Sequence, residues 1–325
     1  MEKIIIDTDP GIDDAMAILL AANAGDKLCI EALTTVNGNV GLERVIKNVF
    51  TILNICKRGD LPVYKGAELP LAGTIPHCGS SHGDDGLGGA SDCGAKGKVQ
   101  EEAAADALVR LANEHAGELS LMPIGPLTNI AKAVRKDSGF AEKIKRVVLM
   151  GGAEHGGNMS PVAEFNFWHD PEAAEIVFNA GFHDVVMIGL DVTRKAFLSP
   201  AMREYLYQIN TPVSRFLHRI TRAYVDSYWR NMNNLGCELC DVLAAGYFID
   251  DTILELKKAH VKIETSGLCR GMSVVYPCEG PNQPEENCRV AAGLDAGKFF
   301  QLFFDCLFPE YYENTRKLIS SGLYL

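Results

Sequence analysis

Lys3-Ile-Ile-Ile-Asp7-Thr-Asp9-Pro-Gly11-Ile-Asp13-Asp14 places four carboxylates within eight positions, directly behind a short apolar run. The run reads as a strand buried on both faces. Pro10-Gly11 forces a turn, and Asp13 then reads as the N-cap of a helix over 14–24. Carboxylates this crowded raise one another's pKa and need a cation or a shared proton. Hard oxygen donors in that number suit Ca²⁺ or Mg²⁺ rather than zinc. Neighbouring side chains on a helix diverge by about 100°, so Asp13 and Asp14 are not expected to face one ion together. One would hold a metal while the other addresses a ligand. A strand end, a turn and a cap would use one carboxylate and leave three unexplained.

Outward from this stretch, strand-length apolar runs at 3–7, 29–36, 119–124, 146–150 and 185–188 alternate with helix-period segments at 14–24, 42–57, 101–115, 129–136 and 171–180. Such alternation predicts an α/β fold with an open, mostly parallel, doubly wound, Rossmann-like sheet and helices on both faces. Ligands of such sheets bind at the carboxyl ends of the strands, which puts the active site beside the carboxylates. No linker or repeat interrupts residues 1–325, so a single domain is expected. Residues 73–97 are the exception, with eight glycines and no period. A loop of that length reads as a functional lid or a tolerated insertion.

A formal charge of −11 argues against nucleic acid as a partner. No apolar stretch approaches a membrane span, and no signal-peptide pattern is present. Ten cysteines are scattered, several within apolar elements (Cys29, Cys56, Cys306), which fits buried thiols and a cytoplasmic location. Cys237 and Cys240 form one C-x-x-C without a second pair at zinc spacing. No G-x-G-x-x-G follows the first strand, which disfavours a dinucleotide oxidoreductase.

Asp7-Thr-Asp9-Pro-Gly11-Ile-Asp13-Asp14-Ala15 resembles the N-terminal signature of the inosine–uridine-preferring nucleoside hydrolases. Thr34-Thr-Val-Asn-Gly-Asn39, Gly125-Pro-Leu-Thr-Asn129, Met150-Gly-Gly152, Ala163-Glu-Phe-Asn166, Asp170-Pro-Glu-Ala-Ala174, Asp241 and Gly271-Met-Ser-Val follow in the family's order across essentially the whole chain. The resemblance implies hydrolysis of the N-glycosidic bond of ribonucleosides, with Ca²⁺ as cofactor and a homodimer or homotetramer as the assembly. It implies Asp9 as general base toward a water that the cation acidifies. Asp9, Asp14, Asp241 and the main-chain carbonyl of Ile124 would be metal ligands, with Asp7 in support. Asp13, Asn39, Asn158, Glu164 and Asn166 would bind ribose, and His82, in Ser81-His-Gly-Asp-Asp-Gly86, would close over its 5′ end. Glu164 and Asn166 are read here as projecting from one side of an extended segment, with Phe165 and Phe167 facing the core.

The base pocket departs from the best-described relatives, which carry His-Asp where this chain has Cys240-Asp241. A subset of the family has cysteine here. A thiol is a weak donor with a pKa near ~8.5, so Cys240, Tyr228 and His82 are alternative proton donors to the leaving base. Tyr224 and Tyr228 lie one turn apart on a helix over 212–231 and share a face, as base-stacking groups or as core. Two other readings accommodate parts of the pattern. Strand-then-Asp-x-Asp also opens Mg²⁺-dependent aspartate-nucleophile phosphohydrolases, and a non-catalytic nucleoside- or sugar-binding protein could keep the cage without turnover.

Overall fold

The structure is a computed structural model that describes residues 1–74, 81–91, 95–278 and 283–322. Parts of the glycine-rich segment 73–97, at 75–80 and 92–94, therefore lie outside the described residues. Eleven strands are β1 (Glu2–Thr8), β2 (Leu28–Thr35), β3 (Val63–Tyr64), β4 (Leu119–Pro123), β5 (Ile144–Met150), β6 (Val185–Ile188), β7 (Phe197–Leu198), β8 (Cys237–Glu238), β9 (Leu254–Ile263), β10 (Ser273–Pro277) and β11 (Cys288–Leu294). Nine of them form one sheet in the order β10-β9-β11-β6-β5-β4-β1-β2-β3, and β7 pairs with β8 apart from it.

The expected open, mostly parallel sheet is present. Pairs from β3 through β11 are parallel, and only β9 runs against its neighbours β11 and β10. Strand order reverses at β1: β2 and β3 extend to one side, β4, β5 and β6 to the other. A crevice opens at the carboxyl end of such a switch point, and β1 delivers Asp7 and Asp9 there. Ile4 and Ile6 pack into the core on one face and Ile5 into the core on the other, as a strand without a solvent face requires.

The first helix runs Ile12–Ala22, two residues earlier than the sequence suggests. Gly11, not Asp13, is its N-cap, and the Gly11 amide donates to Asp14 Oδ2 at 2.9 Å. Asp13 and Asp14 are thus inside the first turn, where free amides and the helix dipole favour anions. The segment read as extended around Glu164 is instead a short helix, Phe165–His169, with Glu164 as N-cap accepting from the amides of Asn166 and Phe167. Backbone donors at a helix start outweigh the alternation of the side chains. Cys29, Cys56 and Cys306 are half-buried rather than buried, and no disulfide joins the described cysteines.

Asp170 shows how the motifs brace the sheet's helices. It caps Pro171–Phe178 through the Ala173 amide at 3.1 Å and accepts from Thr128 Oγ1 (2.6 Å) and the Leu71 amide (2.8 Å). Asp170→Ala leaves the buried Thr128 hydroxyl and Ala173 amide and the partly buried Leu71 amide without a partner, and should cost about 2 kcal/mol or more. Urea denaturation measures this, and a loss below ~0.5 kcal/mol would show that the cap is dispensable.

Candidate active site

A cleft of about 300 Å³ opens at the carboxyl ends of the central strands. Asp13, Asn39, Ile124, Asp241 and Glu164 line one part of it, and Tyr224, Tyr228, Asn231, Met232 and Cys240 another. Residues from most of the chain therefore meet at the switch point.

Asp9 leaves β1 fully buried. Its Oδ2 accepts from the Asn39 amide at 2.7 Å, while Oδ1 is buried with no hydrogen-bond partner. Gly38 and Gly125 press against this carboxyl: a Cβ at either would sit 2.0 Å from Oδ2 or 2.5 Å from Oδ1. That close approach accounts for glycine in both the Asn37-Gly-Asn39 and Gly125-Pro126 motifs. Asp14 is held by Thr8 Oγ1 (2.6 Å), the Gly11 amide (2.9 Å) and Asn39 Nδ2 (3.3 Å).

Carboxylate oxygens of Asp13, Asp14 and Asp241 lie within 4.8 Å of one another, all buried. The expectation that Asp13 and Asp14 diverge is thus corrected. Their Cβ directions differ by about 100°, yet one carboxylate oxygen of each comes within reach of Asp241. Asp9 stands outside this trio of oxygens, although its charge acts on the same groups. Burial, and then Asp14, pushes the Asp9 carboxyl well above the usual range. Asp241 is raised by burial and by Asp13, Asp14 and Asp9, and Asp13 is raised by burial to about 6. Four buried acids held above their ordinary range and an orphaned Asp9 oxygen, with hard donors only, fit a divalent cation such as Ca²⁺ or Mg²⁺.

Asp7 lies behind this group. Its Oδ1 accepts from Thr34 Oγ1 (2.5 Å) and Asn129 Nδ2 (2.7 Å), its Oδ2 has no partner, and burial raises it to about 7. Asp7, like Asp9 and Asp14, is fully buried and does not itself line the cleft. The Ile124 carbonyl accepts from Asn166 Nδ2 at 3.3 Å, which leaves a second lone pair for another donor or a cation.

The ribose candidates line the cleft with different degrees of constraint. Glu164 accepts from the amides of Gly152 (2.8 Å), Asn166 (2.8 Å) and Phe167 (3.2 Å), and burial lifts it to about 7. Asn166 donates also to the Met150 carbonyl at 3.1 Å. Asn158 belongs to a loop folded back on the Ala163 carbonyl, and Ser273 Oγ, from Gly271-Met-Ser-Val, ties that loop at Ala153. His82 Nδ1 accepts from the Ile12 amide at 3.0 Å and lies 3.8 Å from Asp13. Burial depresses His82 to about 4, so it is neutral at physiological pH.

Across the cleft, Tyr224 meets His82 at a ring separation of 4.8 Å and Tyr228 edge-on at 5.1 Å. Both tyrosines are buried in the helix Pro212–Met232. Burial, Asp13, Glu238 and Asp241 drive the Cys240 thiol well above its ordinary value. It is therefore a neutral group and a weak acid.

Sequence reasoning missed the anchors of the glycine-rich loop. Asn48, fully buried on an otherwise apolar helix face, donates to the carbonyls of Pro10 (3.0 Å) and Asp85 (2.9 Å) and accepts from Ser91 Oγ (2.6 Å). A lone Asn among Val45, Val49 and Ile52 was the available signal. Thr8 likewise passed unnoticed between two aspartates, although its hydroxyl fixes Asp14.

Comparison with known proteins meets this geometry. The model of the family described as inosine-uridine preferring nucleoside hydrolase matches residues 4–301. The inosine-uridine preferring nucleoside hydrolase of Leishmania major is 39% identical over 313 residues, covering 94% of this chain and 97% of the relative. Uridine nucleosidase 1 of Arabidopsis thaliana is 37% identical over 276 residues, covering 84% of this chain and 82% of its own. The solved structure of a purine-preferring ribonucleoside hydrolase from Gardnerella vaginalis superposes with a TM-score of 0.86 at 29% identity, covering 97% of this chain and 100% of that one. The chain belongs to the inosine–uridine-preferring nucleoside hydrolase family.

Proposed function

We propose that this chain hydrolyses the N-glycosidic bond of ribonucleosides to ribose and free base, as a Ca²⁺-dependent enzyme with Asp9 as general base. The observation that carries the reading is the buried Asp9 oxygen without a partner, coupled in charge to Asp14 and Asp13 behind a cleft lined by Asn39, Asn158, Glu164 and Asn166. Asp9, Asp14, Asp241 and the Ile124 carbonyl would hold the cation, with Asp7 supporting them from behind. When bound, the ion offsets the mutual repulsion of the acids and acidifies water at neutral pH.

The remaining work falls to the chain's own residues. Asp9 accepts the proton of the attacking water. Asp13 addresses the 2′-hydroxyl, while Asn39, Asn158, Glu164 and Asn166 hold the ribose, and His82 covers its 5′ end as a neutral group. Paired polar groups of this kind reject analogues that lack a hydroxyl. Tyr224 and Tyr228 flank the base. None of the three donor candidates is a strong acid, since burial raises both the Cys240 thiol and the Tyr228 phenol and keeps His82 neutral, so Tyr228, Cys240 and His82 stand as alternative donors. The chain acts as a single domain in a cytoplasmic homodimer or homotetramer.

The direct test incubates the purified protein with a panel of ribonucleosides and follows free ribose, with and without a chelator. Ribose release that a chelator abolishes and Ca²⁺ restores is expected, and turnover unaffected by exhaustive metal removal would overturn the cation's role. Asp9→Ala should lower kcat by about 10²–10⁴-fold with a smaller change in KM. Cys240→Ala should cost on the order of tenfold or less, about 1.4 kcal/mol. Steady-state kinetics showing equal kcat losses for the two variants would restore the cysteine as the acid. Removing the 2′-hydroxyl should depress kcat/KM strongly, and parity between uridine and 2′-deoxyuridine would refute the role of Asp13.

A further inference from the structure

Residues 81–91 form a loop with its own internal scaffold. The Asp85 carboxylate accepts from the amides of Leu87 (3.0 Å), Gly89 (2.9 Å) and Ser91 (2.9 Å), and the Gly88 amide donates to the His82 carbonyl at 2.9 Å. This scaffold is seated on Asn48, a fully buried residue of the helix Leu42–Ile55. The Asn48 amide nitrogen donates to the carbonyls of Pro10 (3.0 Å) and Asp85 (2.9 Å), and its oxygen accepts from Ser91 Oγ at 2.6 Å. One side chain therefore joins the turn between Asp9 and Asp13 to two points of the loop. The seat is close: a Cβ on Gly86 would lie 2.8 Å from the Asn48 amide nitrogen and 3.1 Å from the Pro10 carbonyl oxygen. Thr51, one turn further along the helix, donates its hydroxyl to the Ser91 carbonyl at 2.9 Å.

The loop carries His82 into the wall of the cleft. His82 Nδ1 accepts from the Ile12 amide at 3.0 Å, and its ring lies 4.8 Å from that of Tyr224. One hydrogen bond and one ring contact return less than ordering the backbone of such a loop costs. The position of His82 therefore depends on the anchor beneath it. Asn48 itself does not line the cleft. We propose that Asn48 is a positioning residue for ribose recognition: by joining the Pro10 turn to residues 81–91 it sets His82 at the ribose 5′ end, and with it the preference for substrates that carry a 5′-hydroxyl. This rests on the ribonucleoside hydrolase reading above.

An apolar residue at position 48 would match its buried neighbours Val45, Val49 and Ile52, but would leave the Pro10 and Asp85 carbonyls without this donor. Without the anchor the loop samples arrangements of which only a fraction present His82, and recognition of the 5′-hydroxyl weakens by that fraction. A 5′-deoxy substrate has no hydroxyl for His82 to meet and gains nothing from its placement. Any disturbance passed through Pro10 to the carboxylates instead slows both substrates alike and leaves their ratio unchanged. Asn48 should therefore act on discrimination, which separates positioning from general support of the fold.

The test compares kcat/KM for a nucleoside and for its 5′-deoxy counterpart, using whichever of inosine and uridine the wild type cleaves faster. The wild type should prefer the hydroxylated substrate by at least about tenfold, as sites that hydrogen-bond a hydroxyl do. Asn48→Ala and His82→Ala should each bring that preference below about threefold, and the double variant should match His82→Ala within about twofold, because both act through one contact. Should Asn48→Ala fail to fold, Ser91→Ala removes a single bond at the anchor and should lower the preference in the same direction. Ser91→Thr keeps the hydroxyl and should hold the wild-type ratio. Equal losses on the two substrates, or a further fall in preference in the double variant, would overturn the positioning role. A wild type without preference would take His82 away from the 5′ end, and the role of Asn48 with it. If the wild type releases ribose from neither inosine nor uridine, the hydrolase reading itself fails and the proposal with it.

Discussion

The mutual repulsion of buried carboxylates is the constraint around which this molecule is organised. Asp7, Asp9, Asp13, Asp14 and Asp241 are all within one water-poor region. Each needs donors, a proton or a cation to remain there. The surrounding structure supplies donors only in part: Thr8, the Gly11 amide and Asn39 for Asp14, Thr34 and Asn129 for Asp7, the Asn39 amide for Asp9. What the protein leaves unpaired is above all one buried oxygen of Asp9.

Holding so costly a group requires rigid support, and the fold provides it at the centre of the sheet. β1 has neighbours on both sides and core on both faces, so its exit is the least mobile place from which to project side chains. The other walls are tied to it over long sequence distances. Asn129 reaches Asp7, Asn166 reaches the Ile124 carbonyl, Glu164 reaches the Gly152 amide, and Asn48 joins the turn at Pro10 to the glycine-rich loop. The ribose side is therefore dense with fixed polar groups. The opposite wall is aromatic and holds a thiol that burial keeps protonated, so in the proposed reaction cleavage would depend more on stabilising the sugar's developing charge than on a strong acid at the base.

Much of this was legible in the chain itself. The alternation of apolar runs and helical segments identified the parallel sheet, because strands buried on both faces leave no alternation of their own. The carboxylate stretch and the Asn and Glu positions pointed to the cleft, because turns at strand ends gather at one rim. Legibility ended where tertiary donors override local pattern. Glu164 looked like part of an extended alternation but caps a helix, and Asp13 looked like a cap but lies inside one. The antiparallel β9 and β10, at the far edge of the sheet, carry charged residues such as Lys257, Lys258 and Lys262 on exposed positions, which blurred their period. Thr8 and Asn48 act only through contacts that sequence spacing does not reveal.

The central claim is that a cation relieves the repulsion within the carboxylate group, and calcium-dependent thermal stability measures it most directly. In the metal-free protein the folded-state pKa of Asp13 is raised to about 6 and that of Asp7 to about 7, above their unfolded values. Their protonated forms therefore support the fold at low pH, and that support is lost as pH rises through the folded values. Binding to the native state alone should restore it by mass action. Ca²⁺ added to stripped protein should raise Tm, by more at about pH 8 than at about pH 5, and Asp14→Asn should abolish the gain. A Tm indifferent to Ca²⁺ at both pH values would contradict the account.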